Sequence, residues 1–169
     1  ELYNEIFLSE EWPMLDRGTV TEQDAIERIA GRSRGNAELI RQCMANWHDI
    51  LIPMEENIGI LKDIKANGYK TYILSNFHSL AYEKVTKRYD FFQLFDGGII
   101  SYRENLLKPE REIYNILAER YDIKPNESIF VDDTKVNVEG AREVGFETIL
   151  FDGSMNLREE FIKWKILNY

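Results

Sequence analysis

From about residue 58 the chain alternates short apolar runs with helical stretches of about ten residues, and this alternation restricts the fold more than any other feature. The segment "IGILKDIKANG" reads as a helix stopped at Gly68, "YKTYILS" as a strand and "HSLAYEKVTKRY" as a helix. The strand "GGIIS", the helix "EREIYNILAERY", the strand "SIFVD", the helix "NVEGAREVG" and the strand "ETILF" follow. Strands joined by helical crossovers run parallel and need cover on both faces, so the predicted class is α/β with a Rossmann-like parallel sheet. The closing segment "NLREEFIKWKILNY" repeats apolar residues at Leu157, Phe161, Trp164 and Leu167, which predicts a core-facing stripe.

Residues 1–57 carry helical patterns only, so the expected division is a helical region over 1–57 and an α/β region over 58–169. In "TVTEQDAIERIA" Thr21 is placed to cap a helix, with Asp24 in the capping-box position. Leu39, Cys43, Met44 and Trp47 are expected to form one buried stripe. The opening "ELYNEIFLSEEW" has no initiator Met and is already helical in pattern at Leu2, Ile6 and Phe7, which reads as an entry in mid-element.

The composition narrows the function. With 169 residues, 44% hydrophobic, the chain can bury one core and a small appended subdomain. A net charge of −9 argues against nucleic acid and against anionic membrane as partners, because both need clustered Lys and Arg. The single cysteine, Cys43, permits no internal disulfide, and no run resembles a transmembrane helix or a signal peptide. A cytoplasmic location is the expectation.

In open parallel sheets ligands sit beyond the carboxyl ends of the strands, where loops and helix N-termini meet. This sequence puts three polar clusters there: Ser75 and Asn76 after "TYIL", Lys108 in "ENLLKPE" with Pro109 marking a helix start, and Asp132 and Asp133 after "SIFV". A hydroxyl, an amide, an ammonium and two carboxylates together suit an oxyanion with a divalent cation. Adjacent carboxylates at a buried strand end repel, so one is protonated or a cation neutralises them. Mg²⁺ is the natural choice, since it takes hard oxygen ligands, often only one or two of them from protein. Successive strand residues point to opposite faces, so one of the pair is the direct ligand, and Asn137 is placed to orient it or to cap the helix. Plainer roles exist for each residue: helix capping for the aspartates, a turn for Ser75 and Asn76, a solvated loop for Lys108. His48 and His78 read as structural or surface residues, and Trp12 and Trp47 as helix packing.

The order "YILSN", "LLKPEREIY" and "IFVDDTKVNVEGAREVGF" resembles motifs two, three and four of the haloacid dehalogenase superfamily, over roughly residues 53–152. The stretch "EEWPMLDRGTVTEQDA" is similar to the small helical cap of subfamily I, and the paired aspartates look most like the IA branch, third variant, that holds sugar-phosphate phosphatases and the phosphatase domain of epoxide hydrolase-like proteins. The resemblance implies a Mg²⁺-dependent phosphomonoester hydrolase acting on a small phosphorylated metabolite, with a sugar phosphate among the options. It also implies that Ser75 and Asn76 hold phosphoryl oxygens, that Lys108 neutralises the nucleophile and the developing charge, and that Asp133 binds Mg²⁺ with Asp132 in support. Trp12, Met14 and Arg17 would belong to the surface that selects the leaving group.

The family's first motif, an apolar strand ending in D-x-D that supplies an aspartate nucleophile and an aspartate acid/base, has no counterpart in residues 1–169. The implied aspartyl-phosphate chemistry therefore needs a nucleophile upstream, and the 169-residue chain alone is expected to be inactive. Two other readings remain: a non-catalytic binding or regulatory domain, and a metal-independent dehalogenase-type hydrolase. Dehalogenases of this superfamily are expected to lack an acidic pair at this position.

Overall fold

The computed structural model describes residues 2–33 and 35–168. In chain order the helices α1 (Leu2–Phe7), α2 (Glu11–Arg17), α3 (Glu22–Arg32), α4 (Ala37–Asn46) and α5 (Glu55–Ala66) precede the first strand, β1 (Tyr72–Ser75). They are followed by α6 (Ser79–Arg88), β2 (Gly97–Ile100), α7 (Ser101–Glu104), α8 (Arg111–Arg120), β3 (Ile129–Asp132), α9 (Lys135–Val144), β4 (Glu147–Leu150) and α10 (Leu157–Lys163). The class is α/β, as expected. The described strands form two two-stranded sheets, β1 with β2 and β3 with β4, instead of one continuous sheet.

The described residues divide into two compact units. The first runs to Ile52 and also takes in 75–89 and 100–107; the second comprises Pro53–Leu74, Asp90–Ile99 and Lys108 onward. The helical unit thus includes two segments expected in the 58–169 region.

In the first unit Ile6, Leu15, Ala25, Ile29, Ile40 and Met44 form the buried core. Thr21 caps α3 by accepting the Asp24 backbone N–H at 3.1 Å. Arg32 grips Glu11 through two hydrogen bonds of 2.6 and 2.5 Å, and Glu11 is buried. That guanidinium holds the Glu11 carboxyl below its ordinary range. Of the expected stripe on α4, Met44 is buried and Cys43 packs against the core, and Leu39 departs from it. Leu39 is 52% exposed, whereas Ile40 is fully buried, because Ile40 and Met44 are four apart and together face the core.

In the second unit β3 and β4 pair in parallel, with Ile129 opposite Glu147 and Asp132 opposite Leu150. Ile129 and Val131 pack on a cluster of Ile60, Ile149, Phe161 and Leu167. Phe130, of opposite parity, meets the Tyr114 ring edge-on at 5.6 Å, so α8 covers the other face. Trp164 departs from the expected C-terminal stripe and is 42% exposed. α10 ends at Lys163, and Lys165 takes a left-handed φ of 58° that turns Leu167 back into the core.

The glycine pair in β2 has a steric reason. A Cβ on Gly98 would lie 2.6 Å from the Ile73 carbonyl oxygen, and one on Gly97 would lie 2.4 Å from the Tyr121 ring. Tyr121 donates its hydroxyl to the Gly98 carbonyl at 3.1 Å and accepts the Gly98 N–H at 2.8 Å. Gly98→Ala is therefore expected to cost about 1–3 kcal/mol through overpacking. Gly59→Ala, in the open interior of α5, should gain about 0.5–1 kcal/mol. Denaturant unfolding of both variants checks the pair.

Candidate active site

β3 sets the parity of the acidic pair. Asp132 lies two residues beyond Phe130 and shares its face, the one covered by α8. There the Lys108 ammonium reaches Asp132 Oδ2 at 2.6 Å, donates to the Leu74 carbonyl at 2.9 Å and lies 5.6 Å from the Phe130 ring centre. The two side chains are 9% and 6% exposed, so this is a buried ion pair. The other carboxylate oxygen, Oδ1, accepts the Thr134 backbone N–H at 2.8 Å and the Asn137 amide at 3.0 Å. Asn137 is itself buried in the first turn of α9, and its carbonyl accepts the Tyr114 hydroxyl at 2.8 Å. Burial pushes the Tyr114 phenol well above its ordinary value, and the Asp132 charge adds to this.

Asp133 behaves differently. It is exposed, and its described contact is an acceptance from the neighbouring Thr134 hydroxyl at 3.1 Å. One carboxylate of the pair is thus built into the structure, and the other presents oxygens to solvent. Among the described residues no three carboxylate, imidazole or thiol groups converge on a common point. An exposed hard-oxygen donor beside a second, charge-paired one does fit a Mg²⁺ that keeps water and phosphate in most of its shell. Asp133 would hold the ion, which when bound offsets negative charge on phosphoryl oxygens.

Lys108, Asp132 and Asn137 are brought together by the fold. Ser75 and Asn76 belong to the first unit, at the end of β1 and in the loop before α6. In that unit the Ser101 hydroxyl accepts the Phe77 backbone N–H at 2.9 Å, directly after Asn76. His78 is buried between Trp12 and Trp47, with ring centres 5.5 and 5.0 Å away, and both indoles serve packing as expected. Desolvation lowers its imidazole to about 4, so it is neutral at physiological pH. Arg17 donates to the Asn105 carbonyl at 3.0 Å. Sequence reasoning missed Ser101, Thr134 and Tyr114. Thr134 directly follows the acidic pair, and that adjacency was the available signal; Ser101 and Tyr114 carried none.

Lys108→Met alone leaves Asp132 buried without its cation and is expected to cost about 3–5 kcal/mol. The double variant Lys108→Met with Asp132→Leu should recover most of that loss, and urea denaturation of both variants measures it.

The profile of the hydrolase family "haloacid dehalogenase-like hydrolase" matches residues 5–145. A sesquiterpene phosphatase of Aspergillus oryzae is 26% identical over 140 residues, covering 83% of this chain and 71% of that protein. Bifunctional epoxide hydrolase 2 of Rattus norvegicus is 30% identical over 152 residues, covering 87% of this chain and 27% of that protein. Among solved structures, a HAD family enzyme of Bacteroides thetaiotaomicron in complex with magnesium and inorganic phosphate superposes with a TM-score of 0.73 at 25% identity, over 89% of this chain and 80% of that one. A strand end that pairs a buried Lys108–Asp132 couple with an exposed Asp133, in a chain matched from residue 5 to residue 145, places this protein in one family: it belongs to the haloacid dehalogenase-like hydrolases.

Proposed function

We propose that this chain carries the phosphate- and metal-binding part of a Mg²⁺-dependent phosphomonoester hydrolase acting on a small phosphorylated metabolite. The observation that carries the reading is the division of labour at the end of β3, where Asp132 is committed to Lys108 and Asn137 while Asp133 stays exposed. A buried lysine held by a carboxylate is a fixed positive charge in a low-dielectric setting, which suits stabilisation of phosphoryl oxygens. Ser75 and Asn76 bind those oxygens through a hydroxyl and an amide, and Lys108 offsets the charge that develops on them. The nucleophile, an aspartate that forms a transient aspartyl-phosphate, comes from outside residues 1–169.

A similar protein named a sesquiterpene phosphatase and a similar structure holding magnesium and phosphate support the phosphatase reading. The chain is also 28% identical over 112 residues to an (S)-2-haloacid dehalogenase of a Pseudomonas strain. The exposed Asp133 beside Asp132 favours metal-assisted phosphoryl chemistry over C–halogen cleavage.

Phosphate release from p-nitrophenyl phosphate tests the proposal, comparing the 169-residue chain with a longer chain that includes sequence encoded upstream of Glu1. The longer chain should turn over only with Mg²⁺ and lose most of that rate in Asp133→Asn. The 169-residue chain should be slower by about a thousandfold or more. Comparable turnover by the 169-residue chain would place the nucleophile within it and overturn the proposal.

A further inference from the structure

The first unit contains one fully buried hydroxyl, Ser101, that none of the roles above uses. It is the first residue of α7 and follows the buried Ile99 and Ile100 of β2, so its backbone is held by apolar packing. Its oxygen accepts the Phe77 N–H at 2.9 Å and its proton goes to the Asp16 carbonyl at 2.5 Å. Three segments remote in sequence therefore meet at one side chain: the end of α2, the start of α7 and the loop that begins with Ser75 and Asn76.

The same junction is reinforced on its α2 side. A Cβ on Gly18, which has φ 74°, would lie 2.6 Å from the Tyr102 carbonyl oxygen, so only glycine lets α2 end this close to α7. Asn105 donates its amide to the Arg17 carbonyl at 2.9 Å and accepts the Arg17 guanidinium on its own carbonyl at 3.0 Å. The Asn105 contacts fix α2 to α7 without touching the 75–77 loop. The Ser101 hydroxyl ties the loop to both helices.

We infer that Ser101 is the positioning residue of the Ser75–Asn76 phosphate-binding loop, setting the backbone directly after Asn76 and coupling it to the end of α2. This assignment rests on the phosphatase reading for the role of Ser75 and Asn76, and on geometry alone for the tether. A serine suits the position because it accepts from one backbone N–H and donates to one carbonyl, and alanine at the same place does neither. Loss of the acceptor leaves the Phe77 N–H unpaired and releases the loop without changing the groups that meet phosphate.

The test titrates inorganic phosphate with Mg²⁺ into the ¹⁵N-labelled 169-residue chain, following the Ser75, Asn76 and Phe77 amides. Hydrogen exchange of the Phe77 amide is measured separately, without phosphate. Ser101→Ala should speed Phe77 exchange at least about tenfold and weaken phosphate binding about tenfold. Ser101→Cys, which keeps the volume but accepts weakly, should fall between it and the unaltered chain. Asn105→Gly should leave both readouts within about twofold while lowering thermal stability, which separates positioning from general stiffness. The inference is overturned if Ser101→Ala folds with both readouts unchanged, or if Asn105→Gly weakens phosphate binding as much. If Ser75 and Asn76 ignore phosphate in the unaltered chain while Phe77 exchange still rises in Ser101→Ala, the tether stands, and both the phosphate-loop role and the functional reading of Ser75 and Asn76 fall.

Discussion

The buried Lys108–Asp132 ion pair is the contact on which the arrangement of the second unit turns. Taking two charges out of water is expensive, and the cost is met only when the partners are close and their remaining hydrogen-bonding capacity is used. Here the ammonium also donates to the Leu74 carbonyl, and the second carboxylate oxygen takes the Thr134 N–H and the Asn137 amide. The end of β1, the loop before α8, the end of β3 and the start of α9 are thereby referred to one another through two side chains. Tyr114 extends the network by donating to the Asn137 carbonyl from the buried face of α8. A set of buried polar groups satisfied in this way has little freedom to rearrange, which is the property a fixed charge needs if it is to act on phosphoryl oxygens.

The first unit applies the same rule with neutral groups. Ser101 is wholly buried, yet it accepts the Phe77 N–H and has the Asp16 carbonyl and, more distantly, the Phe77 carbonyl within reach of its proton, so its hydroxyl is satisfied. His78 is held by stacking on Trp47 and kept neutral by desolvation. Both residues flank the short stretch from Ser75 to Phe77, which is thus placed by packing on one side and by a hydrogen bond on the other.

Much of this was legible in the sequence because strand ends are positions that periodicity can locate. The alternation from residue 58 predicts the α/β class, the polar residues that end apolar runs single out Ser75 and Asp132, and Lys108 and Asn137 are marked by a loop before one helix and the start of another. What periodicity could not decide was the partition between Asp132 and Asp133. Parity separates them, but only the packing of Phe130 against Tyr114 shows which face is buried and therefore which carboxylate meets Lys108. Leu39 departs for a related reason: Leu39 and Ile40 are both aliphatic, and only the packing of Ile40 with Met44 in the core shows which of them is buried. Trp164 was misread because the turn at Lys165 ends the helical repeat before the apolar pattern ends. Ser101 was invisible because a lone serine after a strand has no distinguishing pattern, and its partners lie 24 and 85 positions away.

We propose that Asp133 holds the metal while Asp132 is reserved for Lys108. It is tested most directly by following the side-chain carboxyl ¹³C signals of the 169-residue chain as Mg²⁺ is added in the presence of inorganic phosphate. The Asp133 signal should shift with a saturable dependence on Mg²⁺, and Asp133→Asn should abolish the response while leaving the Asp132 signal and the fold unchanged. A saturable shift centred on other carboxylates, with Asp133 unmoved, would overturn this assignment of the metal ligand.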